Sequence, residues 1–227
     1  MIDIVVTTCD RLQYLRKTLK YIVERTTTPY RLTVIDDASI DGTVEYLKDP
    51  KNHQGMYQYR LNPTRGGPRV YLRDMLYMTI SDPIVVVDDD ILCPKLEPDW
   101  LAQGLQALED HPELAVLALN NPQCNVRHSR YVQSRGPQVT TCTYLGGTFL
   151  FIRRRALEGY VPDQASRLGP IKTWLRTVKE PRGYLTNVYC QHIGMQSVRT
   201  GDDLSVIYKD TLPINKNTLE PIAKYRG

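Results

Sequence analysis

The sequence predicts an α/β protein in which a doubly wound, mainly parallel sheet forms a single domain. Apolar runs typical of strands alternate with segments of helical periodicity up to residue 99, and this pattern favours parallel strands joined by right-handed crossovers. One run, residues 84–87, is continuously apolar and fits a strand covered on both faces. Polar residues follow the runs directly, and ligands of such sheets bind beyond the carboxyl ends of the strands.

The first predicted strand is apolar and ends at a pair of threonines, residues 7 and 8. Asp10, with Gln13 three residues later, predicts a helix N-cap and its capping-box partner. Five apolar residues then recur at helical spacing, namely Leu12, Leu15, Leu19, Ile22 and Val23. The sequence therefore predicts that a first strand passes directly into an amphipathic helix.

The later elements follow the same logic. One helix is predicted to begin near Asp41 and Thr43, and a second to begin at Pro68, because proline suits the first position of a helix. A third is predicted to cover residues 100–108. Apolar runs predict four more strands, at residues 30–35, 56–61, 115–119 and 144–152.

Cysteine content and hydropathy indicate the compartment. The five cysteines are odd in number and lack C-x-x-C spacing, which argues against a disulfide framework and against a zinc site. No apolar stretch approaches the length of a membrane span, and the amino terminus lacks a signal-peptide pattern. We therefore expect a cytoplasmic protein with free thiols.

Three adjacent aspartates, Asp88, Asp89 and Asp90, follow the valine-rich run. Carboxylates this close repel one another, and a hard divalent cation such as Mg²⁺ or Mn²⁺ relieves the repulsion and can bridge to phosphates. If the strand geometry continued, Asp88 and Asp90 would point to one side and Asp89 to the other. The pattern predicts a metal site on the side of Asp88 and Asp90, with a solvated acidic loop as the alternative.

Four ordered segments resemble motifs of the GT-A glycosyltransferases. Residues 5–11 (VVTTCDR) are similar to the family's V-I-P-T-Y-N-R, and residues 34–43 (VIDDASIDGT) to its V-V-D-D-G-S-T-D-G-T. Residues 62–67 (NPTRGG) resemble its N-x-G region, and residues 87–90 (VDDD) resemble its D-x-D motif. The resemblance implies the Rossmann-like GT-A fold and a family-2-like enzyme that uses a nucleotide-sugar donor.

Two later segments extend the resemblance to about residues 2–195. Residues 146–154 are similar to the family's mid-chain glycine segment, and residues 183–194 to its late histidine segment. The resemblance implies that the whole chain divides into a nucleotide-sugar-binding half, residues 1–99, and an acceptor-side half with a C-terminal tail, residues 100–227.

The resemblance implies a donor site for a nucleotide-diphosphate sugar, a UDP-sugar such as UDP-glucose being the first expectation. Thr8 and Arg11 would lie at the nucleotide, Asp37 at the base or ribose, and Arg65 near the diphosphate. Arg69 would add positive charge, unless it is a solvated helix residue. The residues expected to contact the donor are Thr7, Thr8, Arg11, Asp36, Asp37, Asn62, Arg65, Gly66, Gly67, Arg69, Asp88, Asp89, Gly146 and Gly147.

The resemblance also implies which residues bind the metal, and it indicates where a catalytic base would be expected. Asp90 would be the principal ligand of Mn²⁺ or Mg²⁺, with Asp88 close to the ribose or metal and His192 as a further ligand or an ordinary structural histidine. Inverting members carry a Glu-Asp pair before the late histidine, which this interval lacks. Asp163, which precedes a predicted helix, is our candidate base.

The basic charge is concentrated in the later half of the chain. Residues 125–185 carry 11 basic and 3 acidic side chains, a net charge of +8, whereas residues 1–124 carry 13 basic and 18 acidic ones. This predicts an acidic acceptor. In broad outline the chain resembles virus-encoded relatives that add sugars to hydroxymethylated bases in DNA, and this resemblance implies such a DNA acceptor in the host cytoplasm. The basic side chains considered for phosphate contacts are Arg127, His128, Arg130, Arg135, Arg153, Arg154, Arg155, Arg167 and Arg176.

Other functions remain open from the sequence. A glycan or a lipid-linked intermediate is an alternative acceptor. The positive charge of residues 125–185 would also be explained by a solvated basic face without a binding function. A sugar-phosphate nucleotidyltransferase would be expected to carry a glycine-rich loop after the first strand, where this chain has residues 7–10 (TTCD). A non-catalytic module that binds a nucleotide or DNA would leave the aspartates idle.

Overall fold

The structure is a computed structural model that describes residues 1–53, 57–120, 131–134, 139–142, 145–158 and 170–194. Its strands are β1 (Ile2–Thr8), β2 (Tyr30–Asp36), β3 (Tyr57–Leu61), β4 (Ile84–Asp88), β5 (Ile91–Leu92), β6 (Val116–Asn120), β7 (Tyr131–Ser134), β8 (Val139–Cys142), β9 (Phe149–Ile152), β10 (Arg182–Tyr189) and β11 (Gln191–His192). Its α-helices are α1 (Leu12–Arg25), α2 (Thr43–Lys48), α3 (Pro50–His53), α4 (Pro68–Met78), α5 (Trp100–Asp110) and α6 (Pro170–Thr177), and a 3₁₀ helix covers Arg154–Leu157.

Nine of these strands form one sheet in the order β3-β2-β1-β4-β9-β6-β10-β8-β7. The pairs β1 with β2, β1 with β4, β2 with β3 and β6 with β10 are parallel, whereas β9 is antiparallel to both of its neighbours and β8 to both of its own. Seven of the nine strands thus run in the same direction, which confirms the predicted mainly parallel sheet. The short strands β5 and β11 form a separate antiparallel ribbon.

The register places the ends of the first four strands level with one another. Thr8 is aligned with Asp36, Thr7 with Asp88, and Asp36 with Leu61. We call the carboxyl ends of β1 to β4 and the residues that follow them the upper edge. The lower edge comprises the amino ends of these strands and the residues that precede them, together with the residues after β9, because Ile152 pairs with Ile84.

Helices cover both faces of the sheet, as a doubly wound fold requires. On one face, α1 and α5 pack in a core cluster that contains Val85 and Val87 of β4. On the other face, α4 and α6 pack in a cluster that contains Ile84 and Val86. The alternation within β4 explains why the run is continuously apolar: every one of its first four side chains is buried.

Two local predictions are wrong. Asp10 does not cap α1, which has Arg11 at its N-cap position and no cap from that side chain. Instead, the Leu12 amide donates to Asp41 Oδ2 at 2.9 Å, so a neighbouring loop supplies the cap. The strand predicted at 144–152 begins only at Phe149.

The described residues also bear on the compartment predictions. None of the four cysteines that they include, namely Cys9, Cys93, Cys142 and Cys190, forms a disulfide within these residues. Within the same part of the chain, no helix combines the length and apolar character needed to cross a bilayer.

Candidate functional site

The aspartate cluster lies at the upper edge, where β4 ends at Asp88. The strand geometry does not continue, since Asp89 and Asp90 form a turn and both face Arg11. The guanidinium Nη1 lies 3.3 Å from Asp89 Oδ1, and Nη2 lies 2.5 Å from Asp90 Oδ2. The expected alternation of the three side chains, which depended on a continued strand, is therefore wrong.

Asp89 is held by two threonines. The Thr8 hydroxyl donates to Asp89 Oδ2 at 2.7 Å, and the Thr18 hydroxyl of α1 donates to the Asp89 carbonyl at 2.7 Å. The first strand and the first helix thus fix this turn. Because these contacts join residues more than 70 positions apart, no local pattern in the sequence identifies them.

Asp90 is enclosed by the ribbon of β5 and β11. His192 pairs with Ile91, and its Nε2 lies 3.1 Å from Asp90 Oδ2. The Ile193 amide donates to the Asp90 carbonyl at 2.8 Å. A Cβ built on Gly194 would overlap Asp90 Oδ2, so a side chain at this position would have to displace that carboxylate oxygen. The predicted proximity of the late histidine to the aspartates is thereby present in the fold.

The electrostatics separate the three carboxyls. Burial raises the pKa values of Asp88 and Asp89, and the negative charge of Asp90 raises them further. Burial acts in the same direction on Asp90, but His192 and Arg11 outweigh it and hold the pKa of Asp90 below its ordinary value. Burial lowers the pKa of His192, yet the neighbouring Asp90 raises it overall. Asp90 is therefore the carboxylate that stays ionised.

The oxygen chemistry of the aspartates suits a hard divalent cation. Asp90 Oδ1 is buried and has no hydrogen-bond partner among the residues described, which is the kind of atom that an ion would complete. However, no group of three or more His, Cys, Asp or Glu side chains in the described ranges is arranged to hold a metal. The carboxylates Asp89 and Asp90 are instead paired with Arg11.

The loops after β2 and β3 meet next to this cluster through Asp37. Its Oδ1 accepts from the Gly66 amide and its Oδ2 from the Gly67 amide, each at 2.8 Å. Arg65 forms an ion pair with Asp10, which has a positive φ of 52°. The predicted donor residues Asp37, Arg65, Gly66 and Gly67 are thus brought together, although Asp37 organises the glycine loop in this structure.

Asp36 and Asn62 are buried beneath these loops. The Asn62 amide donates to the Asp36 carbonyl at 2.9 Å, and the Ser39 amide donates to Asp36 Oδ2 at 3.1 Å. Asp36 Oδ1 and Asn62 Nδ2 are both buried without a hydrogen-bond partner in the described part of the chain. Tyr71, which sequence reasoning missed, donates its hydroxyl to the Thr8 carbonyl at 3.0 Å.

The comparison with known families identifies the chain. A family model described as glycosyl transferase family 2 matches residues 3–166, which is more than half of the sequence. The chain belongs to glycosyl transferase family 2. No curated protein sequence matches it significantly.

Solved structures that resemble this family 2 chain share its fold. The mannosyltransferase PcManGT from Pyrobaculum calidifontis, in complex with GDP-Man and Mn²⁺, is 17% identical with a TM-score of 0.65 over 88% of this chain and 58% of that one. S. aureus TarS 1-349 with UDP is 16% identical (TM-score 0.64; 84% and 59%), and GalNAc-T7 with UDP, GalNAc and Mn²⁺ is 11% identical (0.63; 85% and 43%). These matches confirm the GT-A fold, while the chain spans less than two thirds of each structure.

The glycine segment of this family 2 chain adjoins the aspartates. Gly146 and Gly147 precede β9, and the carbonyl of the following Thr148 accepts from the Asp88 amide at 2.9 Å. Thr7 pairs with Asp88 across β1 and β4. The candidate base Asp163 and the side chain of Arg69 lie outside the described residues.

Three arginines of the basic segment lie at the lower edge instead. Arg153 Nε donates to the Leu114 carbonyl at 3.1 Å, Arg154 Nε to the Ser81 carbonyl at 2.9 Å, and Arg155 Nη2 to the Pro112 carbonyl at 2.6 Å. They follow β9 at the end opposite to the aspartates. At least one donor of each of these three side chains binds a backbone carbonyl, so their observed contacts do not support the suggestion that they bind acceptor phosphates.

Proposed function

We propose that this chain is a metal-dependent glycosyltransferase that moves a sugar from a nucleotide-diphosphate sugar to an acceptor hydroxyl. The observation that carries the proposal is Asp90, a buried carboxylate between Arg11 and His192 with one oxygen left without a partner among the described residues. Asp88, Asp90 and His192 would hold Mn²⁺ or Mg²⁺, and Mn²⁺ is present in the PcManGT and GalNAc-T7 structures.

The residues of the upper edge have separate tasks in this proposal. A bound divalent ion would stabilise the negative charge that develops on the diphosphate leaving group. Asp37 holds the amides of Gly66 and Gly67 in place and so shapes the loop next to the donor. Arg65 adds a positive charge on the same loop, which favours binding of the donor diphosphate.

The alternatives differ in what they release from a nucleotide sugar. Purified protein would be incubated with UDP-glucose and other donors in Mn²⁺ or EDTA, and nucleoside diphosphate would be measured. We expect release in Mn²⁺ and loss of release in EDTA. A nucleotidyltransferase would form nucleoside triphosphate from added pyrophosphate instead, and a pure binding module would release nothing.

A matched pair of variants tests whether the activity depends on the aspartate cluster at the upper edge. Asp90→Asn should abolish most of the release, whereas Asp82→Asn should not, because Asp82 binds the Arg154 amide at the lower edge. Equal activity of Asp90→Asn and the unaltered protein would refute the proposed metal site.

For the acceptor, we propose hydroxymethylated bases in DNA as the first candidate. The support is the net charge of +8 over residues 125–185, in which Arg176 is exposed. The support is reduced by Arg153 to Arg155, which bind backbone carbonyls. The protein would be incubated with a panel of nucleotide sugars and either hydroxymethylated DNA or simple glycans. The masses of the products decide between the acceptors. A hexose-sized gain confined to the glycan would refute the DNA proposal.

The division of the domain and the catalytic base belong to the same proposal. We assign donor binding to residues 1–99 because the aspartates, Asp37 and Arg65 lie at the ends of β1 to β4 or in the loops that follow them. Residues 100–227 would face the acceptor, with Asp163 as the base that deprotonates its hydroxyl. Asp163→Asn should lower transfer while leaving donor binding unchanged; unchanged transfer would exclude Asp163 as the base.

A further inference from the structure

Arg11 occupies a cation position within the aspartate cluster. Its two terminal nitrogens lie 3.3 Å from Asp89 Oδ1 and 2.5 Å from Asp90 Oδ2, and 18% of its side chain is exposed. A guanidinium keeps its charge at any pH at which a protein is folded, so this pairing offsets the mutual repulsion of the carboxylates. The same repulsion is what a bound divalent ion would relieve.

The pairing leaves polar atoms unmatched on both sides. The guanidinium is shared between two carboxylates and does not form the parallel two-bond pair with a single one. Arg11 Nε is buried and has no hydrogen-bond partner in the part of the chain described, and the same holds for Asp90 Oδ1. Arg11 is thus a less complete partner for Asp90 than an ion that could also bind Oδ1.

The guanidinium also contacts an aromatic ring while it is paired with the aspartates. The Arg11 Cζ is 4.7 Å from the centroid of the Tyr14 ring, one turn along α1, so a cation–π contact accompanies the two ion pairs. A Cβ on Gly194 would overlap both Arg11 Nη2 and Asp90 Oδ2. The pair is therefore closed by the ribbon of β5 and β11 but adjoins an aromatic face on α1.

We propose that Arg11 competes with the metal ion for Asp90. It is a positioning residue that holds Asp89 and Asp90 in the metal-free protein and releases Asp90 when a divalent ion binds. The inference rests on the proposed function, since it presupposes the ion. The apparent affinity for the ion is then reduced by the fraction of molecules in which Arg11 keeps Asp90. Removal of the guanidinium should therefore strengthen metal binding.

The test compares Arg11→Met with Arg16→Met in the full chain. Arg16 lies on the same helix, with its Cζ 5.5 Å from the Tyr46 ring, so its variant controls for the loss of one positive charge on α1. Free Mn²⁺ is measured by electron paramagnetic resonance during titration, and Tm is measured in EDTA and in Mn²⁺. Arg11→Met should bind Mn²⁺ at least about tenfold more tightly, melt lower in EDTA, and gain more in Tm from Mn²⁺. Arg16→Met should match the unaltered protein.

The other outcomes overturn the inference in distinguishable ways. Equal or weaker Mn²⁺ binding by Arg11→Met, with binding retained in the unaltered protein, refutes the competition alone. Absence of Mn²⁺ binding in both the unaltered protein and Arg11→Met refutes the metal dependence as well. Full donor turnover by the unaltered protein in EDTA, lost in Arg11→Met, also refutes it, because Arg11 itself would then supply the positive charge at the diphosphate. If Arg11→Met does not fold, Arg11→Lys replaces it, and an affinity no higher than that of the unaltered protein refutes the competition.

Discussion

Two buried carboxylates at opposite edges of the same sheet, Asp3 and Asp90, differ in how completely their oxygens are hydrogen-bonded. At the lower edge, Asp3 accepts from Arg31 Nε at 2.7 Å, from Arg31 Nη2 at 2.9 Å, and from the Ile80 and Ser81 amides at 2.7 and 2.8 Å. At the upper edge, the buried atoms without a hydrogen-bond partner among the described residues include Arg11 Nε, Asp36 Oδ1, Asn62 Nδ2 and Asp90 Oδ1.

This difference separates stability from function. A fully bonded buried carboxylate stabilises the folded chain, whereas an unmatched one costs free energy that only a ligand would recover. Variants of the lower edge should therefore change the free energy of unfolding, and variants of the upper edge should change turnover. Four predictions follow this division from the largest expected effect to the smallest.

Asp90→Asn should give the largest effect. We expect release of nucleoside diphosphate to fall by about 100-fold to 1,000-fold, because the anion at the strand end is lost. The free energy of unfolding should fall by about 1 to 2 kcal/mol, because Arg11 and His192 lose a buried charged partner while Arg11 keeps Asp89. Donor turnover and urea denaturation measure the two quantities, and a large loss of stability with normal turnover would contradict the division.

Asp3→Ala should show the reverse behaviour. Two backbone amides and a guanidinium lose their acceptor at a buried position, so we expect the free energy of unfolding to fall by about 3 kcal/mol. Turnover by the folded fraction should be unchanged. Glu24→Gln, which loses an exposed pair with Lys20, is the control and should cost less than about 1 kcal/mol. Impaired turnover with full stability would contradict the separation of the edges.

Asp99, the N-cap residue of α5, binds Thr27 and Thr28 of the lower edge and makes the stability there depend on pH. Burial raises its pKa, but the bonds from Ala102, Thr28 and Thr27 outweigh burial and set the pKa at about 2. Because the folded pKa lies below the ordinary value, Asp99 contributes stability above about pH 4 that is lost as the pH falls toward 2. Urea denaturation between pH 3 and pH 6 should show a flatter profile for Asp99→Asn, and an identical slope would refute the contribution.

The elements that the sequence predicted are those with local signals. The strands β1 to β4 and the helices after them follow from periodicity, and the register then brings residues 8, 36, 62 and 88 to one edge. The cap of α1 was mispredicted because its acceptor, Asp41, comes from another loop. Strand β10 was missed because its burial pattern lacks a clean alternation.

The site was predictable as a set of residues but not as a set of contacts. The motifs gathered Asp90, His192 and Arg11, yet the pairing of Arg11 with aspartates 78 and 79 positions away has no local signal. Charge counting likewise grouped Arg153 to Arg155 with the basic acceptor surface, because a sequence does not show which carbonyls an arginine meets.

Arg154→Gln should give the smallest effect. It tests whether this lower-edge arginine contributes to stability and not to binding of a DNA acceptor. Arg154 donates to the Thr79 and Ser81 carbonyls, so we expect the variant to lower the free energy of unfolding by about 1 to 2 kcal/mol. DNA binding, measured against salt, should keep the same slope, since these donors are not available to phosphates. Arg176→Gln, at an exposed position, is the matched variant and should reduce the slope by about one if DNA is bound there. A weaker salt dependence in Arg154→Gln with unchanged stability would place this arginine at the nucleic acid and break the contrast between the edges.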